Sequence, residues 1–321
     1  MKNSYTYAVA RIRALEVSLF SDVTIEQLIT MPDLESCIGF LEEKGWGNGD
    51  GDTMAEMLTA EERKIWQVVK ELNVNMESFD VLMFPYKFHN LKAAIKEAVT
   101  GNKGLTVYYE DTVPSGTEIR DIVTQKNFDL LPGDMKNVGK EAYERMVRTG
   151  DGQLCDVLVD RACLERVYET SAKSDIDIVK NYGEALVAIA DIKMAVRCEM
   201  TGKPIDFMEM AMAPCESLSI GRLAGAALTG LDAIAEYLSE TSYAEGGTAL
   251  SESLAAFELW CDNRMIETIK SEKYRAFTIG PVIAYVIARL NEIKTVRIIL
   301  SGKESNLPED SIRGRVRKMY V

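Results

Sequence analysis

The run Tyr274-Arg-Ala-Phe-Thr-Ile-Gly-Pro281, continued to Leu300-Ser-Gly302, decides how the chain is read. Ile279, Ile283, Val286, Leu290 and Ile293 step by four, three, four and three, the spacing of one helix face and not of a strand. Pro281 fits a first helical turn, where its missing N–H has no partner to lose. Gly302 reads as a left-handed C-terminal stop. The end of this helix has two relatives upstream. Ile293-Lys-Thr-Val-Arg-Ile-Ile-Leu-Ser-Gly-Lys303 resembles both Ile192-Lys-Met-Ala-Val-Arg-Cys-Glu-Met-Thr-Gly-Lys203 and Leu91-Lys-Ala-Ala-Ile-Lys-Glu-Ala-Val-Thr-Gly101.

Each copy reads apolar-Lys, a short gap, apolar-basic, then Ser or Thr before Gly. Lys96, Arg197 and Arg297 precede Gly101, Gly202 and Gly302 by five, and those glycines lie 101 and 100 residues apart. One residue is missing between Lys294 and Arg297 relative to the other copies. Two nearly equal offsets predict a threefold internal repeat. Asp160-Arg-Ala-Cys-Leu-Glu-Arg-Val matches Asp262-Asn-Arg-Met-Ile-Glu-Thr-Ile at an offset of 102, which supports the period. The expected organisation is repeat units at 1–103, 104–203 and 204–303, followed by a C-terminal docking helix over 304–321.

At 321 residues with 47% hydrophobic content the chain has ample material for packed cores. Its 37 basic and 50 acidic residues give a net charge of −13, which argues against nucleic acid and weakens adhesion to anionic lipid. Six cysteines with no C-x-x-C pair, and no signal peptide, read as buried thiols in a reducing cytoplasm. No window offers the roughly 18 apolar residues of a spanning helix. The chain reads as soluble and intracellular.

In order, amphipathic helices are expected over 4–20, 25–30, from Pro32-Asp33 onward, over 55–73, and from Phe84-Pro85 to Gly101. Further helices are expected over 117–124, 138–148, 154–170 and 175–200. Leu105 to Tyr109 is a lone β-like run, taken as an extended linker, and Gly246-Gly247 marks a loop. Asn306 is expected to cap a last helix whose stripe is Ile312, Val316 and Met319, with Arg313, Arg315, Arg317 and Lys318 suiting its dipole.

Chemistry is sparse. His89 is the only histidine, which excludes multi-His metal sites. Ser301-Gly-Lys-Glu-Ser305 follows a helix and lacks the upstream glycine of a phosphate loop. The alternating aspartates of Gly45 to Asp52 begin like a calcium loop, but Ala55 stands at the sixth position, and Glu61 at the twelfth reads as a coincidence. The acidic pairs Glu42/Glu43 and Glu61/Glu62 read as solvated faces. No catalytic, cofactor or metal site is read. The repeated basic residues Lys92, Lys96, Lys193, Arg197, Lys294 and Arg297, with Arg11 and Arg13 on the first helix, are the candidate partner-binding set. Their bland alternative is salt-bridged helix surface.

Tyr7-Ala-Val-Ala-Arg-Ile-Arg-Ala-Leu-Glu16, Phe79-Asp-Val-Leu-Met-Phe-Pro-Tyr-Lys-Phe-His-Asn-Leu-Lys92, Phe277-Thr-Ile-Gly-Pro281 and the run from Ile293 to Lys303 resemble the C subunit of the V/A-type ATP synthases, whose eukaryotic counterpart is the d subunit. That resemblance implies an all-α fold of three similar helical domains in a pseudo-threefold, funnel-shaped arrangement. It implies a non-catalytic central-stalk subunit, peripheral on the cytoplasmic face of the membrane. Such a protein joins the central shaft (subunits D and F) to the membrane rotor ring of proteolipid subunits, as one copy in a hetero-oligomeric complex. The competing readings are a helical repeat scaffold in an unrelated cytoplasmic complex and a small-molecule enzyme using cavity carboxylates.

Overall fold

The computed structural model describes residues 5–49, 51–102 and 108–321. Among them there are sixteen α-helices and no strand, so the fold is all-α as expected. The helices are α1 (Thr6–Glu16), α2 (Asp22–Ile29), α3 (Leu34–Glu43), α4 (Met54–Glu71), α5 (Asp80–Thr100), α6 (Gly116–Thr124), α7 (Gly133–Thr149) and α8 (Gly152–Ala172). They continue with α9 (Asp177–Met200), α10 (Ile205–Ala211), α11 (Ile220–Thr229), α12 (Leu231–Ser239), α13 (Ala244–Glu252), α14 (Leu254–Glu267), α15 (Gly280–Glu304) and α16 (Glu309–Arg313). Most of the β-like run and Asp50, from which the calcium-loop positions were counted, lie outside the described residues.

Packing divides the chain into two compact units. One contains Met1–Met76, Ile176–Ile178 and Glu252–Val321, the other Glu77–Asp175 and Val179–Ser251. These boundaries follow spatial packing, whereas the expected periods follow sequence similarity.

The first unit is built around α15, which touches α1, α2, α3, α4, α14 and α16. Its sequence periodicity predicts one buried face, yet every residue from Gly280 to Arg289 is buried and Leu290 only half so. A helix with neighbours on all sides buries its small residues Ala284 and Ala288 along with the branched ones, so a single stripe understates it. Its end also departs from expectation. Gly302 is not the stop, because the helix runs on to Glu304. Asn306 takes the left-handed position (φ 53) in place of glycine and caps no following helix. Leu307 N–H reaches Gly302 O at 2.9 Å and Asn306 N–H reaches Lys303 O at 3.0 Å, the paired bonds of a Schellman ending. The same pair closes α9 around Gly202 (φ 62), from Lys203 N–H to Cys198 O at 2.9 Å and from Gly202 N–H to Glu199 O at 3.1 Å. Gly302 has another reason to lack a side chain: a Cβ there would stand 2.7 Å from Cγ1 of Ile312.

Ile312 belongs to α16, which is only five residues long and not the full docking helix expected over 304–321. Beyond it the chain crosses the first unit without helical structure. Met319 and Tyr320 are buried, and Asn291 donates to Lys318 O at 3.1 Å. Arg313 binds Glu26 of α2 as well as Asp310 of its own helix, and Arg317 binds Asp262 of α14, so both arginines tie the C-terminal segment to other helices.

The core of the first unit contains charge. Arg289 lies between two buried carboxylates, pairing with Glu61 at 2.5 Å and with Glu292. Glu61, expected on a solvated face, is 2% exposed; it also accepts Gly47 N–H at 2.9 Å and Lys64 at 2.6 Å. Glu292 accepts Phe20 N–H at 2.7 Å. The guanidinium sits 5.1 Å from the ring of Trp46, which stacks on Phe20.

In the second unit, α5 packs on α6, α7 and α8, and α10 joins α8 to α11. α5 starts four residues before the expected Phe84 and carries Pro85 inside it. Asn90 is fully buried and pins the following segment, accepting Tyr109 N–H at 2.8 Å while donating to Tyr109 O at 2.8 Å. Gly246-Gly247 is helical, not a loop. A Cβ at Gly247 would lie 2.6 Å from Ala235 O, so the glycine lets α13 close on α12.

Arg289→Met should be strongly destabilising, because it strands two buried carboxylates. A loss of about 3–5 kcal/mol and a fall of roughly 10 °C in melting midpoint are expected. Adding Glu61→Gln and Glu292→Gln should recover much of it. A single mutant melting like the wild type would show that the cluster does not hold this core.

Candidate partner-binding site

The basic residues read from the sequence divide into those already bonded and those left open. Arg11 pairs with Glu71. Arg13 donates to Glu16 at 2.7 Å, to Glu272 O at 2.8 Å and to Arg275 O at 2.9 Å, so it ties α1 to the turn before α15. On α5, Lys92 reaches Asp160 at 2.7 Å and Lys96 reaches Asp156 at 2.6 Å, both on α8. Lys294 reaches Asp262 of α14 at 2.8 Å. Lys193 is half-buried on α9. Arg197 and Arg297, the second basic residues of their copies, are exposed and enter no ion pair among the described residues.

Each of these two open arginines lines a groove, and the two grooves are made from corresponding positions. In the second unit a cavity of about 260 Å³ is bordered by Gln153, Asp156 and Val157 of α8 and by Arg197, Cys198 and Thr201 of α9. In the first unit a larger one of about 570 Å³ is bordered by Ala255, Glu258 and Leu259 of α14 and by Arg297, Ile298 and Ser301 of α15. The first three positions differ by 102 residues and the last three by 100, the offsets of the sequence repeat.

The fillings differ. Lys92 enters the smaller groove and pairs with Asp160, while Lys203 donates to Gln153 at 2.7 Å and covers the Phe207 ring. In the larger groove the wall is the C-terminal segment, with Leu307, Ile312, Arg315 and Arg317. Arg317 is engaged by Asp262 at 2.7 Å; Arg315, like Arg297, is exposed and without an ion pair among the described residues. Reasoning from the sequence missed Arg315 because it placed that arginine at the end of a helix which in fact stops at Arg313. The correspondence of Asp160 with Asp262 was the available signal for the acids that hold Lys92 at the smaller groove and Lys294 and Arg317 beside the larger one.

Reactive groups are held back by burial. Burial pushes the Cys37, Cys155 and Cys215 thiols up to about 11 and that of Cys163 up to about 12, so little thiolate exists near neutrality. His89 packs edge-on against Tyr109, with ring centroids 5.2 Å apart. No cluster of three metal-ligating side chains occurs among the described residues. Asp191 of α9 is the unusual acid. It is 1% exposed, its Oδ1 accepts Ala213 N–H at 3.1 Å, its Oδ2 has no partner, and burial raises its pKa to about 7. It lines neither of the two grooves above.

What the fold and grooves define is an all-helical protein with two grooves at corresponding positions and no cluster of three metal-ligating side chains among its described residues. Comparison with known proteins says which one it resembles: the family described as ATP synthase (C/AC39) subunit matches residues 8–315. The chain belongs to that family. It is 22% identical over 317 residues to the C subunit of the V-type sodium ATPase of Enterococcus hirae, an alignment covering 96% of this chain and 97% of that protein. It is 24% identical over 353 residues to the C subunit of the A-type ATP synthase of Methanocaldococcus jannaschii, covering 96% and 85%. With the C subunit of the A-type ATP synthase of Halorubrum lacusprofundi the identity is 27% over 348 residues, covering 97% and 96%. The chain is therefore a rotary ATPase subunit, and no helix among its described residues is long and apolar enough to cross a membrane.

Asp191→Asn tests the buried acid. The folded-state pKa lies above the unfolded value near 3.8, so this carboxyl favours the fold most at low pH and loses that contribution as pH rises through about 7. The wild type should therefore gain stability on acidification across this window relative to the mutant, by about 1.4 kcal/mol per pH unit at most. Parallel stability–pH curves from denaturant titration would refute it.

Proposed function

We propose that this chain is the non-catalytic central-stalk subunit of a rotary V/A-type ATP synthase. It links the central shaft, subunits D and F, to the membrane rotor ring and couples ion transport to ATP synthesis or hydrolysis. The observation that carries this reading is the match over nearly the whole chain to relatives that are themselves C subunits of V-type and A-type enzymes. The protein sits on the cytoplasmic face, peripheral to the membrane, and reaches it only through the ring.

The proposal includes three helical repeats around a pseudo-threefold axis in a funnel that receives the shaft tip. The recurrence of one groove in corresponding positions of two copies supports the repeat. Of the eight basic residues read as a partner surface, Arg197 and Arg297 are the ones free to meet a partner. Arg11, Arg13, Lys92, Lys96 and Lys294 are engaged within their own unit and offer only their outer faces; Lys193 contributes from its half-buried position.

Membranes from cells lacking this chain should show ATP hydrolysis by the head but no ATP-driven ion transport. Adding back the purified chain should restore transport and co-purify with subunits D and F and the ring. Unaltered transport in its absence, or an added chain that restores nothing and binds none of these partners, would overturn the assignment.

A further inference from the structure

We infer that the groove between α14, the C-terminal half of α15 and the C-terminal segment is a docking site for an acidic, aliphatic-flanked segment of a partner subunit. Arg297 and Arg315 are the contacts for its carboxylates. The inference rests on the stalk-subunit reading only for the identity of the complex in which the partner is found.

Three observations select this groove. The first is charge. The chain as a whole carries −13, so most of its surface repels an acidic partner, yet this lining holds three arginines and a single acid, Glu258. Arg317 is neutralised by Asp262, whereas Arg297 and Arg315 are exposed with no ion-pair partner among the described residues. An arginine left open presents its fork of donors in the geometry that a carboxylate takes up in two parallel bonds.

The second is the internal control supplied by the repeat. The corresponding groove of the second unit has less than half the volume, about 260 against 570 Å³. Its charges are largely satisfied internally through Lys92–Asp160 and Lys96–Asp156. In the smaller groove the acids of α8 are taken by lysines of α5, whereas in the larger one Asp262 is taken by Lys294 and Arg317, which leaves Arg297 and Arg315 without an ion pair among the described residues. Solvation alone does not require that difference.

The third is the floor. Leu259, Ile298, Leu307 and Ile312 line the groove together with the arginines. An inorganic anion would leave this surface unused. A peptide placing a Leu, Ile or Val beside an Asp or Glu fills both parts at once, with an apolar anchor inside a charged rim. The volume is that of a few side chains and falls within the range of ordinary ligand clefts. Ser301 and Ser305 lie along the same wall and supply hydroxyl donors to the carboxylates or to the peptide backbone.

The experiment places a photo-crosslinking amino acid at Leu259 in the full chain, within the purified assembled ATPase, and maps products by mass spectrometry. A second arm uses the double charge reversal Arg297→Glu and Arg315→Glu. The expected result is a crosslink to one segment of another subunit that contains Asp or Glu next to aliphatic residues. The double mutant should lose that crosslink and bind the rest of the complex about tenfold more weakly, with the effect diminishing in high salt. Its melting midpoint should stay that of the wild type, because neither guanidinium has an ion-pair partner among the described residues to lose. No crosslink to protein in an assembled complex, a crosslink to lipid, or a partner segment without acids would overturn the inference. So would wild-type retention of a folded double mutant. A chain absent from the complex altogether would instead overturn the stalk assignment, so the two failures are distinguishable.

Discussion

A single guanidinium holds the middle of the first unit. Arg289 has a carboxylate on either side, Glu61 from α4 and Glu292 from its own helix, with the Trp46 ring beneath it. Burying charge is costly, and what makes it tolerable is that nearly every donor and acceptor here is used. Glu61 also takes Gly47 N–H and Lys64, Glu292 takes Phe20 N–H, and Lys64 closes the circuit on Gly45 O at 2.9 Å and Gly47 O at 2.7 Å. The consequence is positional. An apolar core can slide by a fraction of a residue at little cost, but this one fixes α4, α15 and two loops in one register, since any shift leaves a carboxylate bare. The strain of this arrangement is visible at Glu292, whose pKa burial drives well above the ordinary carboxylate range against the pull of Arg289.

The same logic separates what was legible in the sequence from what was not. Local features were legible: Asp33 caps α3, and the helices expected over 117–124 and 175–200 lie where periodicity put them. Periodicity reports one face at a time. It could not show that α15 is buried on every side of its first turns, because Ala284 and Tyr285 look neutral beside Ile283 and Val286. Tertiary contacts decided the remaining misreadings. Glu61 resembled any solvated helix glutamate until a residue 228 positions away paired with it. Gly302 and Gly247 resembled turn residues, although each is required by the close approach of another segment, Ile312 in one case and Ala235 in the other. A glycine demanded by its own φ and one demanded by a neighbour are the same letter.

The candidate site was legible in part. The spacing of the repeat alone singles out six basic positions, and three of them, Lys92, Arg197 and Arg297, line the two grooves. Spacing cannot rank those positions, because pairing depends on which helix face meets which. Lys96 and Arg297 occupy corresponding places in their copies, and only Lys96 has an aspartate within 2.6 Å. Arg315 was obscured for another reason. The predicted helix was extended through it, when the chain in fact leaves helical form after Arg313 and becomes the groove's outer wall.

Internal pairing and external binding compete for the same side chains, and the competition orders this surface. A cation within hydrogen-bonding reach of an aspartate gains little from a second acid, because it must give up part of the first bond. Lys92 and Lys294 are in that position. An exposed arginine above an aliphatic floor has given up nothing, and the partner that reaches it also dries the apolar surface below. The stalk role proposed above would require that joint: a contact strong enough to resist slipping, attached to a body that does not deform. The buried arginine of α15 and the open arginine eight residues further along the same helix, Arg289 and Arg297, are suited to those two tasks. One continuous helix, α15, thus joins the groove to the ionic core that fixes the unit's register.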